Sequence, residues 1–153
     1  MTVNERKDRK SDDGQQRPTG LTLLSGLYLF FFMLTMSTFG HPFPFMGRIF
    51  LGNTAEILVF IDSVVCLYLF LGVMKRQNLT WYLLIIYNCF ETVNTLVNLK
   101  FISAADVERI AGQPVEQKVL VVSNLSVVAT IFLLTIFIYR QRIYFNNRSN
   151  YLF

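Results

Sequence analysis

Four long runs of apolar residues, separated by short polar segments, organise this chain. Each run extends over roughly 20 residues, which is the length an α-helix needs to cross the hydrocarbon core of a bilayer. A transmembrane β-barrel would instead show segments of about ten residues with alternating hydrophobicity. The pattern predicts an all-α polytopic membrane protein with four transmembrane helices in an up-down-up-down bundle. The predicted spans are residues 20–39, 53–74, 79–99 and 118–139.

One polar tail precedes and another follows the predicted transmembrane domain, which covers residues 20–139. Residues 1–19 carry charges of both signs and contain too little apolar surface to fold alone, so we expect a flexible cytoplasmic tail. Residues 140–153 form a second tail, which is basic and is also expected to be cytoplasmic.

The connections between spans carry their own signals. Residues 41–52 contain two prolines and two glycines and are expected to be a loop. Ser103 and Asp106 have the spacing of a capping box, which opens a short helix between spans three and four. Gly112 and Pro114 are placed to end that helix.

Charge supports the membrane interpretation and predicts an orientation. Of the 153 residues, 53% are hydrophobic and 16% charged, whereas about a quarter of the residues in a soluble protein are charged. Four spans put both termini on one side, and that side carries ten Lys and Arg residues against four on the other. By the positive-inside rule both termini are cytoplasmic, and we expect the inner or plasma membrane of a prokaryote. We interpret the basic residues behind the net charge of +4 as a topology signal that rests on lipid headgroups. Nucleic acid is therefore not an expected partner.

Three acidic residues inside the predicted spans break the apolar pattern. They are Glu56 and Asp62 in the second span and Glu91 in the third. Asp62 and Glu91 each lie about nine residues from the outer end of their span, which places them at the same depth at a rise of about 1.5 Å per residue. Acids in a bilayer are costly and usually face the interior of a bundle.

One face of the third span is polar and is formed by Asn88, Glu91, Thr95 and Asn98. Two interpretations of this face fit the sequence. In the first, Asp62 and Glu91 share a proton or a cation, because two neighbouring carboxylates cannot both ionise cheaply in a low dielectric. In the second, the polar side chains hydrogen bond between helices and hold the bundle or a neighbouring subunit together.

Residue types with catalytic or cofactor-binding chemistry are scarce. His41 is the only histidine, which excludes a bis-histidine haem site within one chain and disfavours a zinc site. Cys66 and Cys89 are far apart in sequence and are expected to be small buried residues. The sequence has no glycine-rich phosphate loop and no GxSxG motif. We therefore expect a protein that is not an enzyme and that has no cofactor and no metal site.

Three short motifs lie at the ends of the predicted spans. The first span opens with Arg17-Pro18-Thr19-Gly20-Leu21-Thr22-Leu23-Leu24, an RPxGxTxL entry. A glycine precedes the basic turn Lys75-Arg76, and the last span ends in Tyr139-Arg140-Gln141-Arg142. In these motifs the chain resembles small, largely uncharacterised prokaryotic four-helix integral membrane proteins. The resemblance covers about residues 17–145. It implies the four-helix architecture and no particular activity, and Asp62 and Glu91 are not part of it.

Two functions are expected from these observations. The first is a non-catalytic accessory or structural subunit of a larger membrane complex, with the lipid bilayer and other membrane subunits or further copies of the chain as partners. The alternative is a small proton- or cation-coupled transporter that uses the intramembrane acids. The residues expected to form the proton or cation site, or the interhelical hydrogen bonds, are Asp62, Glu91, Glu56, Asn88, Thr95 and Asn98.

Overall fold

A computed structural model describes residues 18–147, so most of the predicted tail of residues 1–19 and the last six residues of the basic tail lie outside the described residues. The described part is predominantly α-helical, as predicted. Its elements in chain order are α1 (Thr19–Ser37), β1 (Phe43–Phe45), β2 (Arg48–Phe50), α2 (Gly52–Met74), α3 (Asn78–Phe101), α4 (Ala104–Ala111), α5 (Gln117–Arg140) and a 3-10 turn (Arg142–Tyr144). Each of the four predicted spans coincides with a long helix.

Three of the described helices are long and apolar enough to cross a membrane, and they are α1, α2 and α5. Helix α3 is as long as α5, with 24 residues. It is less apolar because asparagines and Glu91 interrupt its hydrophobic residues. The structure therefore supports an integral membrane protein with three candidate spans.

The apolar core lies where the start of α1, the end of α2, the start of α3 and the end of α5 meet. Its buried members are Leu21, Leu24, Tyr28, Leu69, Val73, Trp81, Leu84, Ile138 and Phe145. Helices α2 and α3 approach closely here, since a Cβ atom added to Gly72 would overlap the side chain of Thr80. Glycine at position 72 is therefore what allows this contact.

Residues 43–50, expected to belong to a loop, form an antiparallel β-hairpin in which Phe43 pairs with Phe50. The two turn residues, Met46 and Gly47, have positive φ angles of 47° and 79°, as in the type I′ turns that suit the twist of a hairpin. Such turns are usually recognised from Asn-Gly or Asp-Gly. Met46 provides no such signal, which is why the sequence pattern did not reveal the hairpin.

The predicted capping box of α4 is confirmed. The Ser103 hydroxyl accepts the backbone N–H of Asp106 at 3.2 Å, and the Asp106 carboxylate accepts the backbone N–H of Ser103 at 3.1 Å. The Ser103 hydroxyl also donates to the Asp106 carboxylate at 2.6 Å. This bond, together with the one from the Ser103 backbone N–H, lowers the pKa of Asp106 below its usual range. Gly112 ends the helix in the left-handed conformation with a φ angle of 68°, also as predicted.

The chain after α5 folds back onto the turn between α2 and α3. We call residues 141–147 the C-terminal segment. Phe145 is buried in the core. The Asn147 carbonyl accepts the N–H of Asn78 at 2.9 Å, and the Asn147 N–H donates to the carbonyl of Arg76 at 3.1 Å. The bond to Asn78 satisfies a backbone N–H of the first turn of α3, which has no partner within the helix.

Candidate functional site: the polar residues between the helices

A polar cluster surrounds Asp62 near the middle of α2. One carboxylate oxygen of Asp62 accepts the Tyr87 hydroxyl of α3 at 2.8 Å, and the other accepts the Thr35 hydroxyl of α1 at 3.3 Å. The Tyr87 oxygen also lies 3.3 Å from the Cys66 sulfur. Asp62 thus connects three helices through two hydroxyl donors.

Glu91 belongs to the same cluster. Its carboxyl group interacts electrostatically with that of Asp62 and hydrogen bonds to the side chain of Asn94. Both acids are half-buried within the single chain, and neither forms a salt bridge within residues 18–147. In the described part of the chain, no three His, Cys, Asp or Glu side chains are grouped so that they could hold a metal ion.

Asn88 lies at a separate junction. Its side-chain oxygen accepts the Tyr28 hydroxyl of α1 at 3.0 Å, and its nitrogen donates to the Thr135 hydroxyl of α5 at 3.2 Å. Asn88 is only 3% exposed. One amide side chain therefore joins α1, α3 and α5.

Asn94 and Asn98 fix the hairpin onto α3. Asn94 accepts the N–H of Met46 at 2.9 Å, and Asn98 accepts the N–H of Gly47 at 2.7 Å. The Asn98 nitrogen is 3.4 Å from the carbonyl oxygen of Pro44. These bonds satisfy the two N–H groups of the turn, which would otherwise have no partner in the hairpin.

The six predicted site residues are thus distributed over several places. Asp62 and Glu91 interact electrostatically, whereas Asn88 and Asn98 belong to the two structural junctions just described. The Thr95 hydroxyl donates to the Glu91 carbonyl at 2.8 Å, a bond within α3 itself. Glu56 is half-buried and has no polar side-chain partner among the described residues.

Sequence reasoning missed Tyr87, Thr35 and Cys66 as members of the acid cluster. Tyr87 precedes Glu91 by four residues, so the two share a face of α3, and this spacing could have indicated it. No comparable signal marks Thr35, because its role depends on how α1 is rotated against α2. Tyr28, the partner of Asn88, was also missed, because it lies among the apolar residues of α1 and the rotation of α1 cannot be predicted from the sequence.

In comparisons with known proteins, no protein-family model, curated protein or solved structure matches the chain.

Proposed function

We propose that this chain is a non-catalytic integral membrane protein that serves as an accessory or structural subunit of a larger membrane assembly. The observation that carries the proposal is the surface of α5. Of its 24 residues, Ile138 is the one that is buried within the chain. A helix that packs so little inside its own protein has a large face available to lipid or to a neighbouring subunit.

The α5 face that we assign to a partner carries small hydroxyl side chains. Ser123, Ser126 and Thr130 recur on one side of the helix and are exposed. Ser123 and Thr130 donate back to carbonyls of α5, at 3.2 and 2.8 Å, so they need no water. Small residues let a second helix approach closely in a bilayer, where packing and hydrogen bonds drive association. We name Ser123, Ser126 and Thr130 the hydroxyl face.

In this proposal α3 also crosses the membrane, which makes four spans, and successive spans run in opposite directions. Support comes from contacts between opposite ends of the long helices, such as Trp81 near the start of α3 with Ile138 near the end of α5. The positive-inside rule then gives cytoplasmic termini. The membrane we propose is the plasma membrane of a prokaryote, on the resemblance of the entry to the first span.

Hydrogen bonds within the chain favour a structural role for most of the polar residues. Asn88 bonds between helices, and Asn94 and Asn98 bond to the hairpin. In membrane proteins such bonds contribute about 0.6 kcal/mol each on average. They stabilise one arrangement of the helices, which a subunit that presents a fixed surface requires.

Site-specific photocrosslinking in the native membrane tests the subunit proposal. A photoreactive amino acid at Ser126 should give one discrete crosslinked product. The same amino acid at Phe132, which is 63% exposed and lies on the other side of α5, should label lipid only. A product of twice the chain mass identifies self-association, and another discrete mass identifies a different subunit. Equal or absent protein crosslinking at the two positions contradicts the proposal.

A second candidate function, a proton- or cation-coupled transporter, is favoured by the electrostatic interaction between Asp62 and Glu91, which are both half-buried. In this proposal the two acids share one proton or hold one cation. Liposomes containing Asp62→Asn or Glu91→Gln protein should then show reduced proton, sodium or potassium flux. Glu56→Gln is the matched control, because Glu56 lies on α2 outside the cluster. Undetectable flux in the native protein, or unchanged flux in both variants, would exclude this function.

A further inference from the structure

A mainly apolar crevice of about 580 Å³ lies at the end of the bundle that carries the hairpin. Its walls come from the hairpin, the end of α3, α4 and the start of α5. Val107 and Ile110 of α4 and Leu120 of α5 provide much of the apolar surface, and His41, Asn98 and Asn124 provide the polar groups. This volume falls in the range of small-molecule sites, which is about 300 to 1,000 Å³.

The walls of the crevice are held in place by hydrogen bonds within the protein. Helix α4 is capped at both ends by Ser103 and Gly112. The N–H of Ala104 donates to the side chain of Gln117 at 2.9 Å, which ties the start of α4 to α5. On the opposite wall, the asparagines of α3 hold the hairpin. The crevice is therefore formed without a ligand.

The polar atoms left over in the crevice include two hydrogen-bond acceptors. The Asn124 side-chain nitrogen donates one of its two N–H groups to the Leu120 carbonyl at 2.8 Å, and the Asn124 side-chain oxygen remains available as an acceptor. The His41 Nδ1 lies 3.3 Å from the Phe39 carbonyl, so in the neutral ring Nε2 is also an acceptor. Asn98 is already paired with the hairpin.

Charge restricts the ligand further. No Asp, Glu, Lys or Arg lines the crevice among the described residues. An anionic ligand such as a fatty acid would meet no Lys or Arg side chain, and a cationic ligand would meet no carboxylate. A neutral ligand that carries a donor hydroxyl on an apolar body satisfies both the acceptors and the apolar walls.

We propose that this crevice binds a neutral amphiphilic alcohol, with a long-chain or isoprenoid body against Val107, Ile110 and Leu120 and its hydroxyl donating to Asn124. The proposal goes beyond the subunit function and does not depend on it. The surrounding bilayer supplies a route by which an apolar molecule can reach the crevice. The hydroxyl distinguishes this ligand from a hydrocarbon chain that merely fills space.

The binding test uses the full chain in phosphatidylcholine nanodiscs and a diazirine-bearing hexadecanol as the probe. Photolabelling should concentrate on peptides that contain Val107, Ile110 and Leu120. Unlabelled 1-dodecanol should compete about fivefold better than its methyl ether, because one net hydrogen bond corresponds to a factor of that size. Hexadecanoate should compete poorly. Labelling spread evenly over the lipid-facing residues, or equal competition by alcohol and ether, overturns the proposal.

Two variants separate the hydrogen bond from the cavity. Asn124→Leu should retain labelling but abolish the preference for the alcohol over the ether. Val107→Trp should fill the crevice and remove labelling, whereas Val127→Trp, at an exposed position of α5 outside the crevice, should leave it unchanged. Circular dichroism and gel filtration establish that each variant is folded. A folded Val107→Trp protein with native labelling also overturns the proposal.

Discussion

The hydroxyl of Tyr28 donates a 3.0 Å hydrogen bond to the side-chain oxygen of Asn88, a residue 60 positions further along the chain. Both residues are nearly inaccessible, with exposed fractions of 0% and 3%. Asn88 then donates to Thr135, so the Tyr28 hydroxyl is the first member of a chain of side-chain bonds from α1 through α3 to α5. This pair therefore connects α1 to α3 inside the bundle.

Tyr28→Phe should reduce the free energy of unfolding by about 1 kcal/mol, because it leaves the buried Asn88 oxygen without its donor. The measurement is an unfolding titration with SDS in mixed micelles. Tyr82→Phe is the matched control, since Tyr82 lies on α3 with 45% of its surface exposed, and it should leave stability unchanged. Equal effects of the two substitutions would show that the Tyr28 bond contributes nothing specific.

Gly72→Ala should strongly destabilise the protein, because the new methyl group overlaps the Thr80 side chain and forces α2 and α3 apart. Gly26→Ala in α1 is the matched substitution in open space, since nothing lies within 4 Å of the added Cβ. It should instead stabilise the protein by a few tenths to about 1 kcal/mol through helix propensity. The same micelle titration compares them. A Gly72→Ala protein as stable as Gly26→Ala would contradict the close approach of α2 and α3.

The pKa of Asp106 should lie below that of an unfolded aspartate, about 3.9, because Ser103 hydrogen bonds favour the carboxylate. A lowered folded pKa means that the contribution of Asp106 to the stability of α4 is complete above the unfolded pKa. That contribution is lost as the pH falls through the folded pKa.

An NMR titration of the Asp106 side-chain carboxyl carbon measures this pKa directly. Ser103→Ala removes the hydroxyl donor and should shift the midpoint upward. Ser123→Ala, a serine on α5, is the control and should leave it in place. A native midpoint at or above 3.9 would contradict the charged capping box.

Phe145→Ala should lower the free energy of unfolding by about 3 kcal/mol or more, as is typical of large-to-small substitutions in a core. Phe145 is 4% exposed, whereas Ile143, two residues earlier in the same segment, is 76% exposed. Ile143→Ala should therefore have little effect. Unfolding titrations of the two variants give the comparison, and a small loss for Phe145→Ala would mean that the C-terminal segment is not part of the core.

The long helices were predictable because a segment that crosses a bilayer needs about 20 consecutive, mostly apolar residues, and such runs are visible in the sequence. The capping box of α4 was also predictable, since it depends on two residues three positions apart. The partners of Asn88 were not. The spacing of the polar residues assigns Asn88 to a face of α3, but the rotation of α3 against α1 and α5 is set by packing in the core.

In the candidate site, too, local features were predictable and contacts between helices were not. A constant rise per residue predicts that Asp62 and Glu91 lie at one depth, and their interaction in the structure is compatible with that. Depth alone does not give the rotation of a helix about its axis. Thr35 therefore could not be assigned to Asp62, and Tyr87 could be placed only on the face of α3 that carries Glu91. The hairpin depends on a tertiary contact, because Asn94 holds Met46 in a conformation that the local sequence does not favour.

The C-terminal segment imposes an order on biosynthesis. Asn147 bonds to the Lys75 carbonyl, 72 positions earlier, and is made after every element that it contacts. At about 5 to 20 residues per second, the turn between α2 and α3 is synthesised roughly 4 to 14 seconds before Asn147 is added. During that interval the N–H of Asn78 and the carbonyl of Arg76 lack their final partners, and the place of Phe145 is unfilled. Closure of this end of the bundle is therefore a late event, and a chain stalled within α5 would expose an incomplete core to the quality-control machinery of the cell.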